Sequence, residues 1–530
     1  MKKLPISIQD FAKLRSDNCV YADKTALIYK ILTDGRQYFL SRPRRFGKSM
    51  TISTIKEIFE GNKKLFARQN PEDNDLWIYD KWDWSKTNPV IHIPFARLDY
   101  KDLGLENVLI NLFKEIAKKY DVFLEAASYG SAFDELIKKL NEKHGRVVIL
   151  IDEYDKPIID FLESSPDLSQ GEDKYPIAHK NREKLRNLYA CIKDNDSNIE
   201  LFFMTGVSKF SQTGVFSHLN HLSDITLHDD FVNLVGITPS ELLEHFGEYI
   251  DATAAKMNMS EEKLLSEIKL WYNGYSWDGE NTVYNPFSLI NFFSHKKFQD
   301  YWFQTGSPKF LIDLIKEKKS YNFNNIRVTA AMVHSYEIEN LDLRTLFFQT
   351  GYLTIKKMNR MNGFLTLDYP NREVEQSMAN HLMATMRGQD LTESATPVLM
   401  LEDAFLKNNV ELVVKVIKTM LRDIPAILFG KQKEAFYHAL VHLHFKYLGW
   451  LMESEVHTSD GRMDAVIKTN EYIYIFEFKI DTTAAEAIEQ INEKNYADKY
   501  ALENKKIVGV GINFSTKKRT IDDWQKVLLN

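Results

Sequence analysis

Short runs of consecutive apolar residues alternate, over the first two hundred or so positions, with longer stretches whose apolar residues return every three or four places. Tyr38-Phe39-Leu40, Val90 to Phe95, Val147 to Ile151 and Ile199 to Met204 are the short runs. A run without polar alternation suits a strand covered on both faces, as in a parallel sheet. Met50 to Phe59, Leu103 to Tyr120, Ser131 to Lys143 and Ala178 to Lys193 carry the helical spacing, for example Ile52, Ile55, Ile58 and Phe59 in the first of them. Strand and helix in alternation predict an α/β sheet whose ligands bind beyond the carboxyl ends of the strands. The pattern then changes. Helical spacing dominates from about 236 to 345, punctuated by the aromatic, turn-rich Trp271-Tyr272-Asn273-Gly274-Tyr275 and Tyr284-Asn285-Pro286-Phe287. Gly351 to Ile355 and Gly363 to Leu367 read as a hairpin, residues 372–422 as further helix, and a last unit begins near Gln432.

The first strand runs into Ser41-Arg42-Pro43-Arg44-Arg45-Phe46-Gly47-Lys48-Ser49 and then into a helix. Strand, loop, helix is the setting of a phosphate-binding loop, where backbone N–H groups and the helix N-terminus face the phosphates. Arg44, Arg45, Phe46, Gly47, Lys48 and Ser49 are the expected nucleotide contacts. Lys48 would reach the β- and γ-phosphates, Ser49 would hold Mg²⁺, and one of the two arginines would stabilise the γ-phosphate. Arg42 stands where the usual pattern has its first glycine. A plain solvated arginine cluster would run against the helix dipole at this position.

Asp152 and Glu153 end the most apolar of the short runs. In a nucleotide hydrolase a carboxylate there holds Mg²⁺ and a second polarises the attacking water, which gives Asp152 the first role and Glu153 the second. Thr205 and Ser208, after the next strand, are placed to sense the γ-phosphate.

Near the C-terminus, Arg462 to Ile467 and Tyr472 to Lys479 flank a short polar turn. If Asn470 and Glu471 are the loop, Thr469 faces Tyr472, and counting outward sets Asp464 opposite Glu477. Their Cβ atoms would be about 5 Å apart on one face, with Lys479 two residues on. Facing like charges destabilise a hairpin unless a cation lies between them, and oxygen ligands suit Mg²⁺ or Mn²⁺. Such an ion acidifies water for attack on a phosphodiester, and Lys479 would orient that water. Glu434 is a candidate third carboxylate, and Gln490, on the following helix, would face the same pocket. The bland alternative is a solvent-facing hairpin in which Glu477 pairs with Lys479, contributing about 0–1 kcal/mol. Against it, the strand is otherwise apolar.

Taken together, Arg42 to Ser49, Ile151 to Pro157, Trp271 to Tyr275 and Tyr369-Pro370-Asn371-Arg372-Glu373-Val374 resemble the bacterial AAA-ATPase-like proteins that carry a C-terminal domain similar to PD-(D/E)XK nucleases. That family shares the missing first glycine. The resemblance implies the pattern Glu434, Asp464, Glu477, Lys479, Gln490 as nuclease residues, although Met463 replaces the proline that often precedes the aspartate.

The expected architecture is therefore α/β and multidomain: a P-loop ATPase-like domain with a parallel sheet over 1–235, a helical region with a winged-helix-like hairpin over 236–425, and a restriction-endonuclease-like α/β domain over 426–530. The expected function is an ATPase whose nucleotide state controls a Mg²⁺- or Mn²⁺-dependent nuclease, with DNA favoured over RNA. The rival is a regulatory ATPase whose nuclease-like domain binds nucleic acid without cutting it. Oligomerisation is left open.

Composition narrows this only slightly. A length of 530 residues exceeds one core. The net charge of −6 offers no global basic field, and from 434 onward 12 Lys and Arg face 15 Asp and Glu, so a polynucleotide would need basic residues elsewhere or the cluster Lys505, Lys506, Lys517, Lys518 and Arg519. Two cysteines, Cys19 and Cys191, exclude a disulfide framework and suit the cytoplasm. The first residues lack the apolar stretch of a signal peptide, and no run is long enough to span a membrane. His438 and His442 have zinc-pair spacing but no third ligand, which favours packing.

Overall fold

The protein is described by a computed structural model covering residues 1–162, 175–210, 216, 219, 221–302, 314–315, 318, 323, 325–334, 342–387, 400–422, 452–457 and 462–529. They form two compact units, one of residues 1–314 and 323–374, the other of 315–322 and 375–530. No helix among the described residues is long and apolar enough to cross a membrane.

The first unit is built on a five-stranded parallel sheet. Its strands are β1 (Gln37–Ser41), β2 (Val90–Pro94), β3 (Val147–Asp152), β4 (Ile199–Gly206) and the short β5 (Ser223–Asp224), in the order β2-β3-β4-β1-β5. Every residue of β3 is buried, as its unbroken apolar run requires. Helices Leu105–Lys119, Tyr129–His144 and Pro176–Asp194 lie where the spacing predicts, with Phe113 stacked on Phe133 between the first two. Strand β4 lies between the strand that feeds the phosphate loop and the strand that ends in Asp152. All their carboxyl ends share one edge.

Residue 235 does not separate compact units. Helices Pro239–Met257, Glu261–Tyr272 and Pro286–His295 belong to the same unit as the sheet. Leu242, Phe246, Leu264, Ile268, Tyr272, Leu289, Phe292 and Phe293 make their common core, which also takes in Val20 from the chain's beginning. A three-stranded antiparallel sheet completes the unit: β6 (Ile326–Thr329), β7 (Thr354–Asn359) and β8 (Phe364–Asp368), in the order β6-β8-β7. The last two are the expected hairpin, and β6 is an addition. Gly274, at φ +100°, has the carbonyl of Pro370 at 2.1 Å from where a Cβ would stand, so no other residue fits there.

The second unit carries the sheet β13-β12-β11-β10-β9, made of β9 (Met452–His457), β10 (Arg462–Lys468), β11 (Tyr472–Ile480), β12 (Lys506–Ser515) and β13 (Thr520–Leu529). Only β11 and β12 are parallel, and helix Ala484–Glu493 connects them. Gly511 of β12 lets this helix approach: a Cβ there would stand 2.6 Å from the carbonyl oxygen of Ala484.

Candidate nucleotide and carboxylate sites

The phosphate loop bends through two left-handed residues, Arg45 at φ +69° and Gly47 at φ +98°. A Cβ on Gly47 would meet nothing within 4 Å, so its glycine is required by conformation rather than by space. Helix Lys48–Phe59 starts directly behind it. Lys48 is buried, and its ammonium donates to the carbonyls of Arg42 and Pro43, each at 2.8 Å. Burial lowers its pKa, while Glu153, Asp152 and Asp155 pull the other way. An incoming phosphate would exchange two carbonyls for an anion.

Several expected residues take different posts. Arg42 turns away from the loop's mouth and is fully buried. Its guanidinium donates to the carbonyls of Ser41, Thr226 and Phe231 and stacks 4.0 Å over Trp277, and burial brings its pKa down to about 9. Phe46, expected at the nucleotide, is 1% exposed, with its ring edge-on to Tyr275 and Trp277. What Phe46 offers a ligand is main chain. Pro43 rests on Gly351, and the carbonyl of Arg44 receives the Trp302 indole at 3.1 Å. The loop is thus gripped from behind by residues 236–352, where the aromatic motifs lie. Glu373 underpins this grip: fully buried, it accepts from the Trp302 amide at 2.7 Å and the Ser288 hydroxyl at 3.0 Å, and burial raises its pKa to about 8.

Thr205 does not reach toward the γ-phosphate. It is fully buried and its hydroxyl donates to Asp152 Oδ1 at 2.8 Å, so it holds that carboxylate. Ser208 is buried as well, and its amide donates to Asp155. Asp155, which sequence reasoning passed over, accepts from the amides of Val207 and Ser208 at 3.0 and 2.6 Å and fixes the exit of β4. Burial raises its pKa to about 6. Gly206 permits this, since a Cβ would strike the Tyr154 ring at 2.6 Å and Asp155 at 2.9 Å. Glu153 sits at φ +53°, a conformation costing about 1 kcal/mol or more for a side-chain-bearing residue, which aims it off the strand line.

Beside the phosphate loop and Glu153 lies a cavity of about 410 Å³. Arg44, Arg45, Lys48, Ser49, Glu153 and Lys156 line one part, and Ile8, Val20, Ile237, Phe246, Phe287 and Ile290 another. A charged end and an apolar end match the two halves of a nucleotide. Residues 5–24 and 234–290 supply most of the apolar wall, which no local motif announces. Lys24, also in the wall, is paired with Glu241 at 2.6 Å, and the same carboxylate caps helix Pro239–Met257 through the Thr238 amide. The residues fit a magnesium nucleotide: Asp152 Oδ2 accepts no hydrogen bond from the described residues, and Ser49 lines the cavity at the loop's end.

In the second unit the counted register is the observed one. Ala465 pairs with Phe476 and Lys468 with Ile473, and the Thr469 amide bonds the Tyr472 carbonyl at 2.8 Å. Asp464 and Glu477 therefore stand opposite each other, both buried, at 9% and 4% exposure. Asp464 Oδ2 accepts from the Phe478 amide at 2.8 Å. Gln490 donates to Glu477 and accepts from Lys479, so the helix and strand side chains join in one chain of contacts. Glu434, with His438 and His442, lies outside the described residues. Among the described residues no three metal-binding side chains cluster, and Asp464 and Glu477 are the facing carboxylates an ion could take.

A family model described as a predicted AAA-ATPase matches residues 5–216, and one described as the PD-(D/E)XK nuclease superfamily matches 432–524. A relative called "Uncharacterized protein in vnfD 5'region", from Azotobacter chroococcum mcd 1, is 36% identical over 536 residues, spanning 98% of this chain and 98% of its own. The chain belongs to the AAA-ATPase-like family with a C-terminal PD-(D/E)XK domain. For this AAA-ATPase-like protein the phosphate loop and strands β1 to β4 of the parallel sheet fall in the first matched region, and the facing carboxylates fall in the second.

Proposed function

We propose that the protein binds and hydrolyses ATP and that its nucleotide state controls a metal-dependent nuclease acting on DNA. The observation that carries the reading is the burial of Asp464 and Glu477 in direct opposition beside Lys479. Two facing buried carboxylates are costly without a cation. Asp464 and Glu477 would hold Mg²⁺ or Mn²⁺, with Lys479 orienting water and Gln490 fixing both Glu477 and Lys479. In the first unit, Lys48 supplies charge at the phosphates, Glu153 orients the attacking water, and Ser49 and Asp152, the latter held by Thr205, would hold Mg²⁺. Bound at either site, the ion neutralises developing charge and lowers the pKa of coordinated water.

A regulatory protein whose second unit binds without cutting is the other reading. It is favoured by the engagement of Asp464 and Glu477 with the Phe478 amide and Gln490. The test is incubation of the full chain with plasmid, single-stranded DNA and RNA, in Mg²⁺ or Mn²⁺, with and without ATP, alongside Lys48→Ala and Glu153→Gln. Cutting of DNA that changes with ATP in the parent, loses that response in Lys48→Ala and locks in one state in Glu153→Gln supports the first reading. Calorimetry showing unchanged ATP affinity in Lys48→Ala overturns the nucleotide assignment. ATP hydrolysis with no cutting under any condition leaves the regulatory reading.

A further inference from the structure

The three-stranded sheet of the first unit has one buried face and one open face. Ile326, Leu367 and Ile355 lie in register across β6, β8 and β7, as do Val328, Leu365 and Met358, and these six residues point inward. The alternate positions form two outward rows: Arg327, Thr366 and Lys357, then Thr329, Phe364 and Asn359. Arg327 and Lys357 are exposed, and neither makes an ion pair among the described residues. Their basic neighbours are committed elsewhere: Arg360 pairs with Asp229 at 2.8 Å, and Lys356 donates to the Pro370 carbonyl at 2.8 Å. Phe364, at the hairpin end of the central strand, is 49% exposed, and Met361 at the hairpin tip is 99% exposed. The one acid on the face, Asp368, is at the far end and accepts from its neighbour's amide at 2.7 Å.

A large apolar ring one row from two uncompensated cations on an open sheet is a poor surface for water and a good one for a base with its phosphates. The cations stand out in a chain of net charge −6 whose carboxylate unit has no excess of base. We propose that this face is a platform for single-stranded polynucleotide, with a base stacked on Phe364 and phosphates on Arg327 and Lys357. Neighbouring strands lie about 4.8 Å apart, so the two cations, on the outer strands either side of Thr366, stand about 10 Å apart and one row from the ring on the central strand. The proposal gives a partner to the nucleic-acid reading above, and strand binding is measured without cutting or ATP.

The test is fluorescence anisotropy of the full chain with a fluorescein-labelled oligothymidylate in EDTA. The parent is expected to bind with an affinity that falls with salt. Arg327→Ala combined with Lys357→Ala should reduce the slope of log affinity against log salt by about 1.4, which is about 25-fold in affinity at ~0.1 M salt. Phe364→Ala should weaken binding roughly 5- to 150-fold, and Phe364→Trp should restore it. All three side chains are exposed, so thermal unfolding and ATP binding should match the parent. A parent that binds no strand, or variants with parental affinity and slope, overturn the proposal. So does Asp464→Asn losing strand binding while the sheet variants keep it, because the strand would then sit at the carboxylates. Equal binding of duplex with no effect of Phe364→Ala overturns it too.

Discussion

Asp464 has two separable tasks, and two substitutions tell them apart. Its Oδ2 satisfies the Phe478 amide inside the sheet, and its charge faces Glu477. Asp464→Ala removes the acceptor and leaves a buried N–H unpaired, which costs about 1–3 kcal/mol. Asp464→Asn keeps an acceptor of the same shape and removes the charge. Two unit charges about 5 Å apart repel by about 3 kcal/mol at an effective dielectric constant near 20, so the amide variant relieves that much at most. In EDTA, Asp464→Ala should therefore unfold earlier than the parent, and Asp464→Asn at the same point or later. Mn²⁺ should reverse the order of parent and Asp464→Asn, since ion binding stabilises the native state of the parent alone. The assay is denaturant unfolding of the second unit in EDTA and in Mn²⁺, with manganese binding followed by electron paramagnetic resonance. If Asp464→Asn is as destabilised as Asp464→Ala in EDTA, and Mn²⁺ leaves the parent unmoved, the argument from facing charges is wrong.

Further outcomes follow from the first unit and from the helix over β11. Thr205→Val removes the hydroxyl that holds Asp152, and should slow ATP hydrolysis about tenfold or more with little change in ATP affinity, as read by steady-state kinetics and calorimetry; equal slowing and weakening would make Thr205 a binding residue. Asp155 carries a raised pKa of about 6, so the folded state holds its proton over a range where the unfolded chain, titrating near 3.8, has released it. Stability then falls as pH rises from about 4 to about 6, and Asp155→Asn should remove that loss, gaining about 3 kcal/mol on the parent between pH 4 and 7 in pH-dependent denaturant unfolding. A flat difference curve would contradict it. Gly511→Ala should cost the second unit about 1–3 kcal/mol, because its Cβ meets the backbone of Ala484 rather than a movable side chain; circular dichroism melts indistinguishable from the parent would show that the helix has slack.

The hairpin register was legible because a two-residue turn leaves only one count across Thr469 and Tyr472, and because the pairing runs on from there toward Asp464 without a bulge. The phosphate loop was legible from its neighbours: an apolar strand before it and a helical stripe after it. Less local facts stayed hidden. Arg42 looked like a missing glycine, and only its packing beneath Trp277 shows a side chain turned away from the loop's mouth. Thr205 looked like a sensor because a strand-end hydroxyl carries no sign of which neighbour it serves, and its bond to Asp152 crosses 53 positions. The break drawn at 235 followed a change of texture, from strands to helices, whereas compact units are set by which apolar faces meet. Helix Pro239–Met257 turns Phe246 to the core it shares with Val20.

The grip on the back of the phosphate loop also has an entropic consequence. Pro43 against Gly351, Phe46 between Tyr275 and Trp277, and the Trp302 indole on the Arg44 carbonyl hold the loop's shape through contacts within the protein. A flexible loop loses about 1–2 kcal/mol per residue when it orders around phosphate, and that loss is subtracted from affinity. Here the ordering is completed during folding. Nucleotide should accordingly associate in a single kinetic phase, at a rate set by encounter with the cavity rather than by a slow rearrangement of the loop.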